Sequence, residues 1–376
     1  MPFGQAVKTL FALLRVQARE SSAVRTTESA GAAYVELQTE AVAVLERKAP
    51  CAPSGPAQVV LSPDGAMVPL VHGEWKEVRT LVIGEVQTTT TGEVRTCNHS
   101  YFSRLANAEE FTRLALVETH QRGIENSAQV AAVMDGADWL QGVVDYHCPQ
   151  AVRILDFPHA AQRIAEIGQA LPGAEAGQAQ QWTQHWLHSL KHEGPQPMLA
   201  ELRAQQVQQP NLEPLWRHLA YLEKRERQML YPTFSQQGWP IGSGMVESAN
   251  KNVVEARLKG TGMHWRDTNV NPMLALRNIL CSDRWEDAWP QIETHLRTQA
   301  EQQRRHRCQQ RRQAKADRLF AEATARQCAE APPPPAPTAD QAPAIQSATA
   351  PAVKHRPAAN HPWRRAAIGR ARYRHT

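Results

Sequence analysis

A chain of 376 residues, 42% of them apolar, is long enough for one large domain or two ordinary ones. It has no run of 18 uninterrupted apolar residues, which excludes an obvious membrane helix, and its six cysteines (Cys51, Cys97, Cys148, Cys281, Cys308, Cys328) include no CxxC pair, which argues against a zinc ribbon or a disulfide framework. The net charge of +5 is unevenly spread: residues 296–376 hold 16 Lys/Arg against 5 Asp/Glu, whereas the preceding 295 residues are mildly acidic, so a basic tail for a polyanion and a merely solvated tail both remain open.

The opening MPFGQAVKTLFALLRVQARE is too basic downstream for a cleavable signal and reads as an amphipathic helix. Helical spacing continues over residues 5–48, and CAPSGPAQ follows as a connector. From 57 to 157 strands and helices alternate. QVVLSPDGAMVPLV reads as a strand broken by a Pro-Asp-Gly turn, KEVRTLVIGEVQTTT as a second strand and TCNHSYFSRL as a third. AEEFTRLALVETHQRG is a helix, AQVAAVMD a short strand ending in an acid, WLQGVVDYHC a helix and AVRILDF a last strand. Three strands, a helix, then strand–helix–strand is the order of an α/β fold with an RNase H-like core, its last two strands parallel to the first.

Residues 158–236 read helical throughout and carry Trp182, Trp186 and Trp216. WPIGSG breaks the pattern, MVESANKNVVEARLKG resumes it, and NPMLALRNILCSDRWEDAW closes the folded body. QAEQQRRHRCQQRRQAKADRLFAEA is a basic helix with hardly any apolar face, followed by a Pro/Ala linker and the arginine-rich HPWRRAAIGRARYRHT. The expected organisation is a helical segment (1–50), the α/β core (57–170), an all-helical insertion (171–238), a further helical region (239–295), a basic helix (296–330) and a partly disordered tail (331–376).

Three acids stand where metal-dependent phosphoryl transfer would use them. Hard cations such as Mg²⁺ take oxygen ligands, and two-metal sites draw carboxylates from distant parts of a chain. Asp64 enters the first strand, Asp135 ends the strand AAVM before Gly136, and Glu247 lies one turn into the helix after Ile241-Gly242-Ser243-Gly244. The glycines there would admit a DNA backbone, and a helix start suits phosphate. Lys251 falls one turn beyond Glu247, with Arg257 and Lys259 further along. Plainer readings stand beside these. Asp64 in Pro-Asp-Gly is a common turn residue, Asp135 suits a helix N-cap, and Glu247–Lys251 is an ordinary surface pair.

The segments SPDGAMVPLVHGEWKEVRTLVIGEV, VMDGADWLQGVVDYHCPQAVRILDFPHA, GWPIGSGMVESANKNVVEARLKGTGMHW and NPMLALRNILCSDRWEDAW resemble the successive blocks of ISKra-type insertion-sequence transposases, bacterial relatives of the Mutator-like DDE enzymes. The likeness runs from about Pro2 to Trp289 and into His361-Pro362-Trp363-Arg364-Arg365. It implies that Asp64, Asp135 and Glu247 are the catalytic and metal-binding acids, with Mg²⁺ or Mn²⁺ as the cation. The interval from Asp135 to Glu247, 112 positions apart, corresponds to the family's helical insertion. It further implies cutting and joining of DNA, with element ends and target DNA as partners of an oligomer at the bacterial nucleoid. Lys251, Arg257, Lys259, Arg364 and Arg365 are the expected DNA contacts.

A Cys/His pair follows the fifth strand in the related superfamily; Asp156 and His159 stand there in this chain, either orienting the site from behind or simply forming a turn Asp beside a core histidine. One departure is expected to matter. Such transposases usually carry a longer N-terminal region with metal-binding cysteines, and Cys51 alone cannot replace a zinc site. The resemblance therefore implies an N-terminally shortened copy, with two competing readings: a DNA-binding remnant that regulates transposition, and a stand-alone nuclease with the same metal site.

Overall fold

In the computed structural model, which describes residues 2–171 and 176–330, the β-branched runs of residues 58–104 form three long strands: β1 (Gln58–Pro69), β2 (Trp75–Thr88) and β3 (Val94–Arg104). Two shorter strands follow, β4 (Gln129–Met134) and β5 (Val152–Leu155). They join into one five-stranded mixed sheet in the order β3-β2-β1-β4-β5. β1, β2 and β3 pair antiparallel, while β4 runs parallel to β1 and β5 parallel to β4.

The Pro-Asp-Gly expected to break the first strand does not. Pro63, Asp64 and Gly65 continue through β1 opposite Leu81, Thr80 and Arg79. β4 pairs with β1 only over Gln58–Leu61, so Pro63 lies where that flank of the strand is open and a missing N–H is tolerated. Pairing with β2 from Val59 to Pro69 then overrides the local turn preference.

Strand alternation divides the sheet's apolar residues between two faces. Val59, Leu61, Ala132 and Met134 pack with Phe102 and Phe111 under the helices α3 (Ala108–Leu114), α4 (Leu116–Gln121) and α5 (Asp138–His147). Val60, Ala131, Val133 and Ile154 face the other way, into a core shared with α6 (Phe157–Ala170) and with Leu190, Leu199, Leu219 and Tyr231. Those last residues come from α7 (Ala176–His192), α8 (Pro195–Gln208), α9 (Glu213–Lys224) and α10 (Tyr231–Gln236). The helical region after α6 is therefore fused to the sheet by a continuous apolar core, which restricts how far it can move independently of β4 and β5.

The far half of β1 and β2 is covered by α11 (Gly244–Ala249), a π-helical turn (Asn250–Glu255), α12 (Ala256–Leu258) and α13 (Asp267–Cys281). The N-terminal helices are α1 (Phe3–Leu14) and α2 (Glu20–Lys48); α2 packs on α13 and on the start of α14 (Trp285–Glu330). A Cβ on Gly31 would lie 2.1 Å from the Pro272 carbonyl oxygen, so the α2–α13 crossing requires a residue without a side chain. The chain divides into two units, residues 1–309 and 310–376. Of the second, residues 310–330 form the end of α14, exposed over 310–325. No helix among the described residues is long and apolar enough to cross a membrane.

Candidate active site

Asp64 lies at mid-strand in β1, on the portion that has left β4. Burial pushes its carboxyl up to about 6; the negative charges of Asp135 and Glu247 add to that rise, and the Gly65 N–H and His159 oppose it. Asp135, in a loop, and Glu247, on a late helix, therefore each come within electrostatic reach of Asp64 on its strand. The Nδ2 of Asn250 donates to Asp64 Oδ2 at 2.7 Å.

Asp135 is the first residue after β4, where the chain escapes the buried sheet. Its Oδ1 accepts from the Ala137 N–H at 2.7 Å, an Asx-type bond that shapes the loop into α5. Gly136 takes a φ of 84°, a left-handed conformation that a Cβ would strain; that Cβ would also stand 2.4 Å from Arg225 Nε. The loop is held from the helical region. Tyr221 on α9 donates its hydroxyl to the Asp135 carbonyl, and the buried Arg225 donates Nε to the Gly136 carbonyl at 2.9 Å. Arg225 also stacks on the Tyr221 ring at 3.8 Å, and Lys224 pairs with Asp138 at 2.7 Å. The tyrosine and arginine were not singled out from the sequence, where neither carries a motif.

Glu247 is exposed on α11, while its neighbours Val246 and Ala249 bury against Val82. The start of that helix is tied to the end of β5. Asp156, fully buried, accepts from the Ser243 N–H through Oδ1 at 2.5 Å, and its Oδ2 accepts from His159 Nδ1 at 2.6 Å and the His159 N–H at 3.1 Å. The Phe157 N–H donates to the Ile241 carbonyl at 2.9 Å, making a second tie. Burial would raise Asp156, but the bonds from His159 and Ser243 outweigh it and hold the carboxyl below its ordinary value. His159 is raised by its bond to Asp156 against the opposing effect of burial, with further help from the charges of Asp156, Asp135 and Asp64. The imidazole thus faces the acidic group with its Nδ1 already engaged.

The basic residues expected to meet DNA divide three ways. Lys251 is exposed, and Lys259 is exposed but paired with Glu255 at 2.9 Å. Arg257 is not on the outer surface as expected. It is 9% exposed, its guanidinium sandwiched between the Phe3 ring at 4.6 Å and the Trp265 ring at 5.0 Å, so its charge braces the N-terminal helix instead. Arg364 and Arg365 lie outside the described residues. Of the tryptophans expected to be available for stacking, Trp182 and Trp186 pack against the core and Trp216 is 46% exposed.

No group of three or more His, Cys, Asp or Glu side chains among the described residues is gathered closely enough to hold a metal ion. The donor chemistry around Asp64 nevertheless fits a hard divalent cation. Asp64 is partly withdrawn from water within reach of the Asp135 and Glu247 charges, and the Oδ1 of Asn250, which bonds Asp64 through Nδ2, is buried without a hydrogen-bond partner among the described residues. Asn250 went unnoticed in the sequence, although a polar residue between the buried Ala249 and Val253 was the available signal. A cleft lined by Gln129, Gln150, Gln237 and Trp239 opens at the opposite ends of β4 and β5, and no titratable side chain lines it. No protein-family model matches the chain, and no curated protein matches it.

Proposed function

We propose that this chain is a metal-dependent DNA-cutting and strand-transfer enzyme of the insertion-sequence transposase type, built on an RNase H-like core. The observation that carries the reading is electrostatic: Asp135 and Glu247, 112 positions apart, both bear on the half-buried Asp64. The reading is supported by the mixed sheet, in which three antiparallel strands are followed by two parallel to the first, the arrangement the resemblance implies. It is also supported by the helices between β5 and α11, which occupy the interval of the family's insertion.

Bound Mg²⁺ or Mn²⁺ would supply charge neutralisation at the scissile phosphate and acidify the attacking water. Asp64, Asp135 and Glu247 provide the anionic oxygens that would hold it. Tyr221 and Arg225 keep the Asp135–Gly136 backbone in place, and Asp156 fixes the start of the helix that carries Glu247. In cutting, a water oxygen bonds to phosphorus as the P–O3′ bond breaks, leaving a 3′-OH. In joining, that 3′ oxygen bonds to a target phosphorus while the target's P–O3′ bond breaks. Neither step needs a covalent enzyme intermediate.

The purified chain should nick and join DNA weakly, with little sequence preference, in Mg²⁺ or Mn²⁺ and not in EDTA. Labelled duplexes resolved on denaturing gels would report both products. Hydrolysis without any joining would point to a nuclease. DNA binding without metal-dependent cutting would replace the proposal with a regulatory DNA-binding protein.

The basic tail gives a separate expectation. Residues 331–376 carry seven basic residues and one acid, so their deletion should make the log–log dependence of DNA affinity on salt shallower. Fluorescence anisotropy at several salt concentrations measures the slope. An unchanged slope would mean that this segment does not meet phosphate.

A further inference from the structure

Among the described residues, Asn250 is a buried amide bonded to the acidic centre whose hydrogen-bonding capacity is only half used. Asn250 is 7% exposed and opens the π-helical turn Asn250–Glu255 that interrupts the helix after α11. It lies three residues beyond Glu247, so the two share a side of the helix. A π turn is uncommon and widens the helical ring, which changes the direction in which the residues at its start point. In this chain it accompanies an amide set among apolar neighbours. Its Nδ2 donates to Asp64 Oδ2 at 2.7 Å, while its Oδ1 is buried and has no partner among the described residues.

An orphaned buried carbonyl oxygen is costly, and this one, unlike those of Gln228 and Asn278, stands on a side chain bonded to Asp64. The use available beside Asp64 is coordination. A carboxamide oxygen is a hard, neutral donor of the kind that calcium and magnesium accept.

We propose that Asn250 is a fourth member of the metal site, pinning the Asp64 carboxylate through Nδ2 and offering Oδ1 to the cation. The inference rests on the metal-dependent reading given above. It assigns to the late helix two oxygen donors, Glu247 and Asn250, rather than one.

Mn²⁺ binding to the full chain, without DNA, tests the proposal independently of activity. Free Mn²⁺ is read by electron paramagnetic resonance during titration with MnCl₂, and circular dichroism checks the fold of each variant. Asn250→Ala should weaken binding by about tenfold or more, the size of effect seen when a metal ligand's support is removed. Asn250→Asp, which returns an oxygen but no N–H, should bind Mn²⁺ within about threefold of the parent. If Asn250→Ala does not fold, Asn250→Leu takes its place, since it fills similar volume with no oxygen.

Unchanged affinity in a folded Asn250→Ala or Asn250→Leu would overturn the inference and leave the metal site standing. Equal weakening in Asn250→Ala and Asn250→Asp would also overturn it, because only the N–H to Asp64 would then matter. A parent chain that binds no Mn²⁺ would overturn the metal-dependent reading itself, and this inference with it.

Discussion

Asp135→Asn should lower Mg²⁺-dependent DNA nicking by roughly 10³-fold or more while leaving the fold intact, the difference of about 4 kcal/mol expected when an anionic metal ligand is neutralised. Two features make this a clean substitution. The Asp135 Oδ1 accepts from the Ala137 N–H, and an asparagine oxygen can accept the same bond. The restraints on the loop act on its backbone, through Tyr221 to the Asp135 carbonyl and Arg225 to the Gly136 carbonyl, so they do not depend on the side chain's charge. The loop should therefore stay where it is, and what is lost is the anionic oxygen that a hard cation requires. Single-turnover nicking and thermal melting of the same preparation would separate the two effects. Nicking retained at the parental rate would remove Asp135 from the site. A collapse of the melting temperature alongside the activity would instead assign it to the fold.

The sheet was legible because its signals are local. The β-branched runs within 58–88 and 94–104, and the short apolar runs just before Asp135 and Asp156, are read from neighbouring residues and become the five strands. The misreading at Pro63-Asp64-Gly65 has the opposite cause. Turn chemistry is also local, but here eleven residue pairs between Val59 and Pro69 and their partners in β2 outweigh it. The burial of Arg257 was not legible for a related reason. Charge is visible in the sequence, whereas burial between Phe3 and Trp265 depends on a partner more than 250 positions away. Asn250, Tyr221 and Arg225 escaped attention because each acts through a long-range contact and none stands in a motif. The π turn could not be anticipated from a 3.6-residue periodicity, which assumes a regular helix throughout.

Asp64→Asn is expected to stabilise the metal-free chain at neutral pH even though it removes a reaction-centre acid. Burial and the charges of Asp135 and Glu247 raise the Asp64 carboxyl from 3.8 to about 6, so folding disfavours its ionised form. Well below the unfolded value of 3.8 the group is protonated whether the chain is folded or unfolded, and it costs nothing. Between there and about pH 6 the unfolded chain ionises first, and the folded state loses stability progressively. Above pH 6 the penalty is complete, of the order of 1–3 kcal/mol for a shift of this size on a group that keeps some contact with solvent. An asparagine has no such ionisation, and its side-chain oxygen can still accept from Asn250 Nδ2. In EDTA, urea unfolding at pH 7.5 should therefore find the variant more stable than the parent, with the advantage shrinking as the pH is lowered to 4. Millimolar Mn²⁺ should close the gap at pH 7.5, because a cation that binds only the folded parent stabilises it by mass action. An equal effect of the substitution at both pH values would trace the gain to packing. No gain at pH 7.5 would mean that Asp64 ionises freely in the fold, and the approach of Asp135 and Glu247 to Asp64 would lose its electrostatic support.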